Sequence, residues 1–289
     1  MLTTDKKNEI IVVTGTSTGI GNATAKELAS RGFYVLAGVR REIDAEAIRA
    51  ENIEPIMLDI TNEKHISNLI KRINENYNKR PLKALINNAA IEINAPVEVL
   101  ALSEWRRQFE VNFFGQVAMI QALLPALFKS QGTIVNISSI GGKAAMAGYG
   151  PYASTKFALE GMSDSLRREL EPFGIKVIVV LPGGVATLMS AQVRSKAEKI
   201  TKAMTPEQRN RYGGLMNAMV SLAESYIKNA VPAEKAGKII ADILSIKKPR
   251  ARYTIGSDAG TMRILNWILP DKMLDRLLAR INKSHYPKV

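Results

Sequence analysis

Tyr152 and Lys156 stand four residues apart in GYGPYASTKFALEG (148–161), a spacing that puts a phenol and an ammonium on one helix face. Such a pair can trade a proton with a substrate oxygen. A free phenol has a pKa of about 10, and bringing it to about 7 takes roughly 4 kcal/mol of preference for the phenolate. A cation at ~4 Å in an effective dielectric of ~20 supplies about that much, while burial works against it. Lys156 alone is therefore marginal. Tyr149 lies seven residues before Lys156, so spacing alone leaves it on the same helix side. Pro151 suits the start of a helix, which places Tyr149 outside and Tyr152 in the first turn. Tyr149 stays a candidate for lining a substrate cleft. Upstream, Ser139 offers a hydroxyl that can polarise a substrate carbonyl. Its neighbour Ser138 would face the opposite way on a strand.

The elements that must hold these groups follow an alternating rhythm. Apolar runs at 9–14, 33–39, 54–60, 82–88, 132–139 and 175–182 read as buried strands, and helical patterns fall at 21–32, 62–77, 103–128 and 152–172. Near-continuous apolar strands with helical crossovers imply a parallel sheet covered on both faces. VVTGTSTGIG closes the first strand and opens the first helix, with Gly15, Gly19 and Gly21 spaced Gly-x-x-x-Gly-x-Gly. Glycines there let backbone N–H groups approach a pyrophosphate, and the helix N-terminus adds partial positive charge. After the second strand, GVRRE carries no acid to bind ribose hydroxyls; Arg40 instead offers a planar fork to a 2′-phosphate. That favours NADP(H) over NAD(H), unless both arginines are simply solvated.

Taken in order, these motifs resemble the classical short-chain dehydrogenase/reductase family over residues 9–255. TGTSTGIG (14–21) looks like its cofactor loop, which implies dinucleotide contacts from Gly15, Ser17, Thr18, Gly19, Ile20 and Gly21. LDIT resembles the strand end where Asp59, with Ile60 beside it, meets adenine. NNAA (87–90) resembles the Asn-Asn-Ala-Gly element, with Ala90 for the usual glycine, and implies Asn88 and Ala89 at the cofactor. VNFFG carries the helix asparagine, Asn112, which by resemblance holds a water linking Lys156 to solvent. NISS ends in Ser139, thirteen residues before Tyr152, the family's interval, and this picks Tyr152 over Tyr149 independently. PGGVAT is similar to the loop at the nicotinamide, through Pro182, Gly183 and Val185. The resemblance implies a Rossmann-type doubly wound sheet of about seven strands, and hydride transfer between the nicotinamide and a carbonyl or alcohol. Tyr152 is then the general acid/base, aided by Lys156 and by the oxidised nicotinamide's charge; Lys156 would also hold the nicotinamide ribose. RARYTIGSDAG and the tail after it look like the retinol and hydroxysteroid dehydrogenase-like branch, which implies a lipophilic substrate.

Residues 187–231 interrupt the rhythm with Met189, Met204, Met216 and Met219. An insertion after a strand's carboxyl end lies over the ligand crevice, so this segment reads as a helical lid with a pliable inner face; a methionine-filled satellite core is the other reading. Met189 is the lid's candidate substrate contact. The 289 residues carry a net charge of +13, and 226–289 hold 13 Lys/Arg against 5 Asp/Glu. No nucleic-acid motif accompanies that excess. In the tail, Met273, Leu274, Leu277, Leu278 and Ile281 share a helical face beside Lys272, Arg276, Arg280 and Lys283, as in a helix packed on its own fold or lying on a membrane surface. With no cysteine, no metal-ligand spacing around His65 or His285, and no uninterrupted apolar run of ~18 residues, a soluble, cytoplasmic protein without metal is expected. The family's dimerising helices correspond to 103–128 and 152–172, which implies a homodimer or homotetramer. A catalytically silent cofactor-binding scaffold and a lipid-surface protein are the alternatives.

Overall fold

The computed structural model describes residues 9–76 and 80–286. Seven parallel strands run in the order β3-β2-β1-β4-β5-β6-β9: β1 Ile10–Val13, β2 Tyr34–Val39, β3 Ile53–Met57, β4 Leu82–Asn87, β5 Thr133–Ile137, β6 Lys176–Pro182 and β9 Arg252–Ile255. The order reverses between β1 and β4, which opens a crevice at the strands' carboxyl ends. Period-2 alternation sorts side chains to the two faces. Ile11 and Val13 join one core with Leu28, Val135 and Ile240, while Ile10 and Val12 join the other with Met119, Leu123 and Leu166.

Helices α1 Gly19–Ser30, α2 Glu42–Ile48 and α10 Ala233–Leu244 cover the first face. There α1 and α10 approach so closely that a Cβ on Gly237 would lie 2.6 Å from the Ala23 carbonyl carbon. The second face carries α3 Glu63–Asn76, α5 Gly115–Ser130 and α6 Gly150–Leu170. Helix α4, Leu102–Phe109, runs into α5 through a π-helical turn, Glu110–Phe114. By length and composition the whole stretch Leu102–Ser130 could cross a membrane, which a search for uninterrupted apolar runs does not register. Its Met119, Leu123 and Leu127 are buried against the sheet, as in a core helix.

The seventh strand, β9, is the one that the apolar runs do not locate. RYTI has no apolar run because Arg252 sits inside it, held by Glu160 and Asp164 of α6. The insertion folds into α7 Leu188–Ala191, α8 Val193–Ala203 and α9 Pro206–Lys228. A two-residue parallel pair, β7 Val185–Ala186 with β8 Val231–Pro232, ties its two ends together. The chain ends in α11 Ser257–Ile268 and α12 Asp271–Lys283. Pro270 is the N-cap residue of α12.

Candidate active site

The glycine turn is built for close approach. Gly15 and Gly19 hold φ of +69° and +62°, and a Cβ on Gly15 would lie 2.8 Å from Ala89 Cα. Gly21 sits behind the loop instead of facing the cavity: a Cβ there would overlap the Gly15 carbonyl and the Asn88 side-chain nitrogen. Asn88 Nδ2 donates to the carbonyls of Thr14 and Gly15 at 2.9 and 3.0 Å, so its amide braces the turn. Thr14 Oγ1 accepts from the N–H groups of Asn88 and Ala89. The N-cap of α1, Thr18, makes no side-chain capping bond, and the first turn carries no acid. Those backbone donors are left for an anion.

One cavity of about 590 Å³ extends from this turn across the sheet's carboxyl edge and under the lid. It is lined by Gly15, Ser17, Thr18, Gly19, Ile20, Arg40, Asp59, Ile60, Asn88, Ala89, Pro182, Gly183 and Val185, and further in by Ser139, Tyr149, Tyr152, Lys156 and Met189. Every candidate residue except Gly21 and Asn112 thus reaches one space. Arg41 is engaged by Asp44 at 2.6 Å, whereas Arg40 is exposed with no ion pair among the described residues. Asp59 accepts from the Thr61 N–H and hydroxyl; those bonds, with the nearby Arg40, outweigh burial and hold its carboxyl low. The turn and the uncapped helix end fit the pyrophosphate of a nicotinamide dinucleotide.

Tyr152 opens the first full turn of α6, and Tyr149 is its N-cap, as Pro151 implied. Ser139 and Tyr152 line the cavity side by side, and Ser139 Oγ accepts from the Gly141 N–H at 3.1 Å. Ser139 is half-buried and Ser138 buried, and both border the cavity. Lys156 is 1% exposed, and its Nζ donates to the Ile137 carbonyl at 2.9 Å, 5.7 Å from the Tyr152 ring centroid. Burial pulls the ammonium down to about 8, with Glu92 and Glu160 opposing. Burial also raises the Tyr152 phenol, as does the Glu92 carboxylate, against Ser139. Lys156 alone therefore does not set the phenol low, in keeping with the marginal estimate from sequence.

Asn112 is placed differently from the expectation. It lies in the π turn, off the cavity, with its side chain fully committed: Nδ2 donates to the Ile91 carbonyl and Thr155 Oγ1, and Oδ1 accepts the Ile91 N–H. Both side-chain donors are thus used within the protein, and they pin the loop after β4. The lid methionines divide: Met189 lines the cavity, while Met204, Met216 and Met219 form a satellite core with Ala197 and Val220.

Sequence reasoning missed several lining residues. Tyr226, Leu222 and Met262 come from α9 and α11, and Glu92 from the loop after β4. Asp258, at the start of α11, accepts the Gly184 N–H at 2.7 Å, and a Cβ on Gly183 would overlap its carboxylate. Its only sequence signal was its place in TIGSDAG, with no periodicity or spacing linking it to PGG.

The short chain dehydrogenase family model matches residues 9–198. The chain belongs to this family. It is 31% identical to retinol dehydrogenase 16 of Mus musculus, over 94% of this chain and 88% of that protein. It is 30% identical to an NADPH-dependent 3-dehydrocapnine reductase of Ornithobacterium rhinotracheale, over 92% and 94% respectively. A solved short-chain dehydrogenase from Streptomyces avermitilis superposes with a TM-score of 0.74 at 26% identity, covering 95% of each chain. This family member is thus a nicotinamide-dependent oxidoreductase with retinol dehydrogenase-like relatives.

Proposed function

We propose that this chain interconverts lipophilic alcohols and carbonyls with NADP(H), using Tyr152 as general acid and base. The observation that carries the reading is the single cavity in which the glycine turn, the Ser139–Tyr152 pair and an apolar wall of Met189, Val193, Leu222 and Met262 are continuous. The bound nicotinamide supplies or takes the hydride. Ser139 hydrogen-bonds the substrate oxygen, Tyr152 gives that oxygen its proton in reduction, and buried Lys156 keeps a positive charge behind the phenol. The lid excludes water and contributes apolar contact. Arg40 selects the 2′-phosphate, and the NADPH named for the dehydrocapnine reductase supports that choice. The retinol dehydrogenase likeness supports a lipophilic substrate.

A panel of retinoids, steroids and fatty aldehydes or ketones, run with NADPH and with NADH, tests the reading. Tyr152→Phe is expected to lower kcat about 10²–10⁴-fold with NADPH binding retained. Arg40→Ala is expected to weaken NADPH binding by about tenfold or more while leaving NADH binding in place. Turnover by Tyr152→Phe at the wild-type rate overturns the assignment. No turnover with any carbonyl or alcohol favours the scaffold alternative.

Two surfaces carry the assembly reading. Exposed Phe114, Phe128 and Phe157 lie along the π turn, α5 and α6, and we assign that face to a second copy of this chain. In the tail, Leu274, Leu277, Leu278 and Ile281 are half-buried and α12 packs on α9, so the free apolar groups are at the α11–α12 corner. Trp267 there is 85% exposed, beside Ile264, Ile268 and Met273. With exposed Arg263, Lys272 and Arg276 nearby in sequence, this corner is suited to an anionic lipid surface.

A further inference from the structure

Glu92 is a carboxylate on the wall of the substrate cavity; its charge bears on Tyr152 and Lys156 from a distance, but it has no hydrogen bond to either. Its placement is heavily supported. On one side the Ile91 N–H and carbonyl are both bonded by Asn112. On the other, Gln108 accepts from the Ile93 N–H at 2.9 Å and donates to the Ile93 carbonyl at 3.0 Å. Asn112 and Gln108 are both fully buried. Two buried amides thus clamp the backbone on either side of one residue, which fixes where its side chain is presented.

What Glu92 is presented to is a recess of about 30 Å³ opening beside Tyr149, Met189 and Lys196. That is near the volume of one water molecule or one ammonium group. Asn94 shares the recess; its Nδ2 donates to Glu92 Oε1 at 2.6 Å, which orients the amide and turns its oxygen away from the carboxylate. Asn94 Oδ1 is buried without a hydrogen-bond partner, and among the described residues the Glu92 carboxylate accepts a side-chain hydrogen bond only at Oε1. The nearest lid cation, Lys196, donates at 3.2 Å to the Glu92 main-chain carbonyl, and its Nζ makes no ion pair with the carboxylate. Burial raises this carboxyl above its ordinary range, only partly offset by the Asn94 hydrogen bond and the positive charges of Lys196 and Lys156. Two acceptors without donors, one of them an acid, call for a cationic donor.

We propose that Glu92 and Asn94 form a subsite for a protonated primary amine, so that the carbonyl or alcohol turned over at Tyr152 carries an amino group close to the reacting carbon and an apolar chain beyond it. This rests on the oxidoreductase reading above and narrows its substrate class. The ammonium would donate to Glu92 Oε2 and Asn94 Oδ1. Reduction of such an amino ketone takes a hydride from NADPH and a proton from Tyr152, giving an amino alcohol and NADP⁺.

The test compares a medium-chain α-amino ketone with the same ketone lacking only the amine, under saturating NADPH, in wild type and Glu92→Gln. The wild type is expected to favour the amino ketone in kcat/KM by about tenfold or more, and Glu92→Gln to reduce that ratio by about tenfold. A ratio at or below one in the wild type, or an equal ratio in the variant, overturns the subsite. Calorimetry on the NADP⁺-loaded protein supplies a readout without turnover: a medium-chain alkylamine is expected to bind about tenfold more tightly than the matching alcohol, and only in the wild type. Equal binding of amine and alcohol shows that the recess holds water alone and overturns the inference. Failure to reduce either ketone, with selective amine binding intact, overturns the oxidoreductase reading and leaves the subsite standing.

Discussion

Under the proposed mechanism, Lys156 sets the pH dependence of the site. Burial draws its ammonium from the ordinary lysine range to about 8, and the carboxylates of Glu92 and Glu160 keep it from falling further. The Tyr152 phenol is raised by burial and stays protonated through neutral pH. On the proposed mechanism, reduction uses the phenol's proton and the positive charge behind it, so kcat/KM for reduction is expected to hold level below about pH 8 and to fall as pH rises through it. Removing a carboxylate that favours the ammonium must lower its pKa, so in Glu160→Gln the alkaline limb is expected at lower pH. A limb that stays put, or moves upward, removes Lys156 as its origin.

At the scale of elements, the strand β9 and helix α6 are joined by charge where most of the sheet is joined by apolar contact. Arg252 Nε donates to Glu160 Oε2 at 2.8 Å, and its Nη2 lies 2.8 Å from Asp164 Oδ2, with Lys143 completing the cluster. Arg252, followed by Arg167, holds the Asp164 carboxyl at about 2. A carboxyl lowered on folding stabilises the protein above its unfolded pKa of about 4, and that contribution is lost as pH falls toward 2. Arg252→Met leaves buried carboxylates short of a partner and is expected to cost about 3 kcal/mol at pH 7, read by urea denaturation. The deficit is expected to narrow as pH falls from about 4 toward 2. A deficit independent of pH in that window would show that lost packing, not charge, is responsible.

For the whole molecule, the two exposed apolar surfaces predict separable behaviours. Light scattering is expected to give a mass of twice the 31.7 kDa chain or a higher even multiple, and sedimentation with anionic vesicles at low salt is expected to pull the protein down. Phe157→Glu should dissociate the oligomer while sparing vesicle binding. Trp267→Glu should release the protein from vesicles while sparing the oligomer. A monomeric wild type, or one that ignores anionic vesicles, removes the corresponding surface from the proposal.

Much of this was legible in the chain because it is written in local pattern. Buried parallel strands need unbroken apolar runs, a phosphate turn needs glycine where φ is positive, and a helix places Tyr152 and Lys156 on one side by its pitch alone. Six of the seven strands and the glycine turn follow from such rules, whereas Asp59, Asn88, Ala89 and the Pro182–Val185 loop come through the family resemblance. What they cannot supply is a partnership between distant residues that individually look ordinary. Arg252 sits within a strand only because Glu160 and Asp164, more than eighty residues earlier, meet it there. Asp258 shapes the Gly183–Gly184 turn from the far end of the chain, and Asn112 holds the Ile91 backbone on both its N–H and its carbonyl. Glu92 has no motif at all. Its meaning depends on desolvation and on which donors fail to reach it, and those are decided only when the lid, the β4 loop and α6 close around one space.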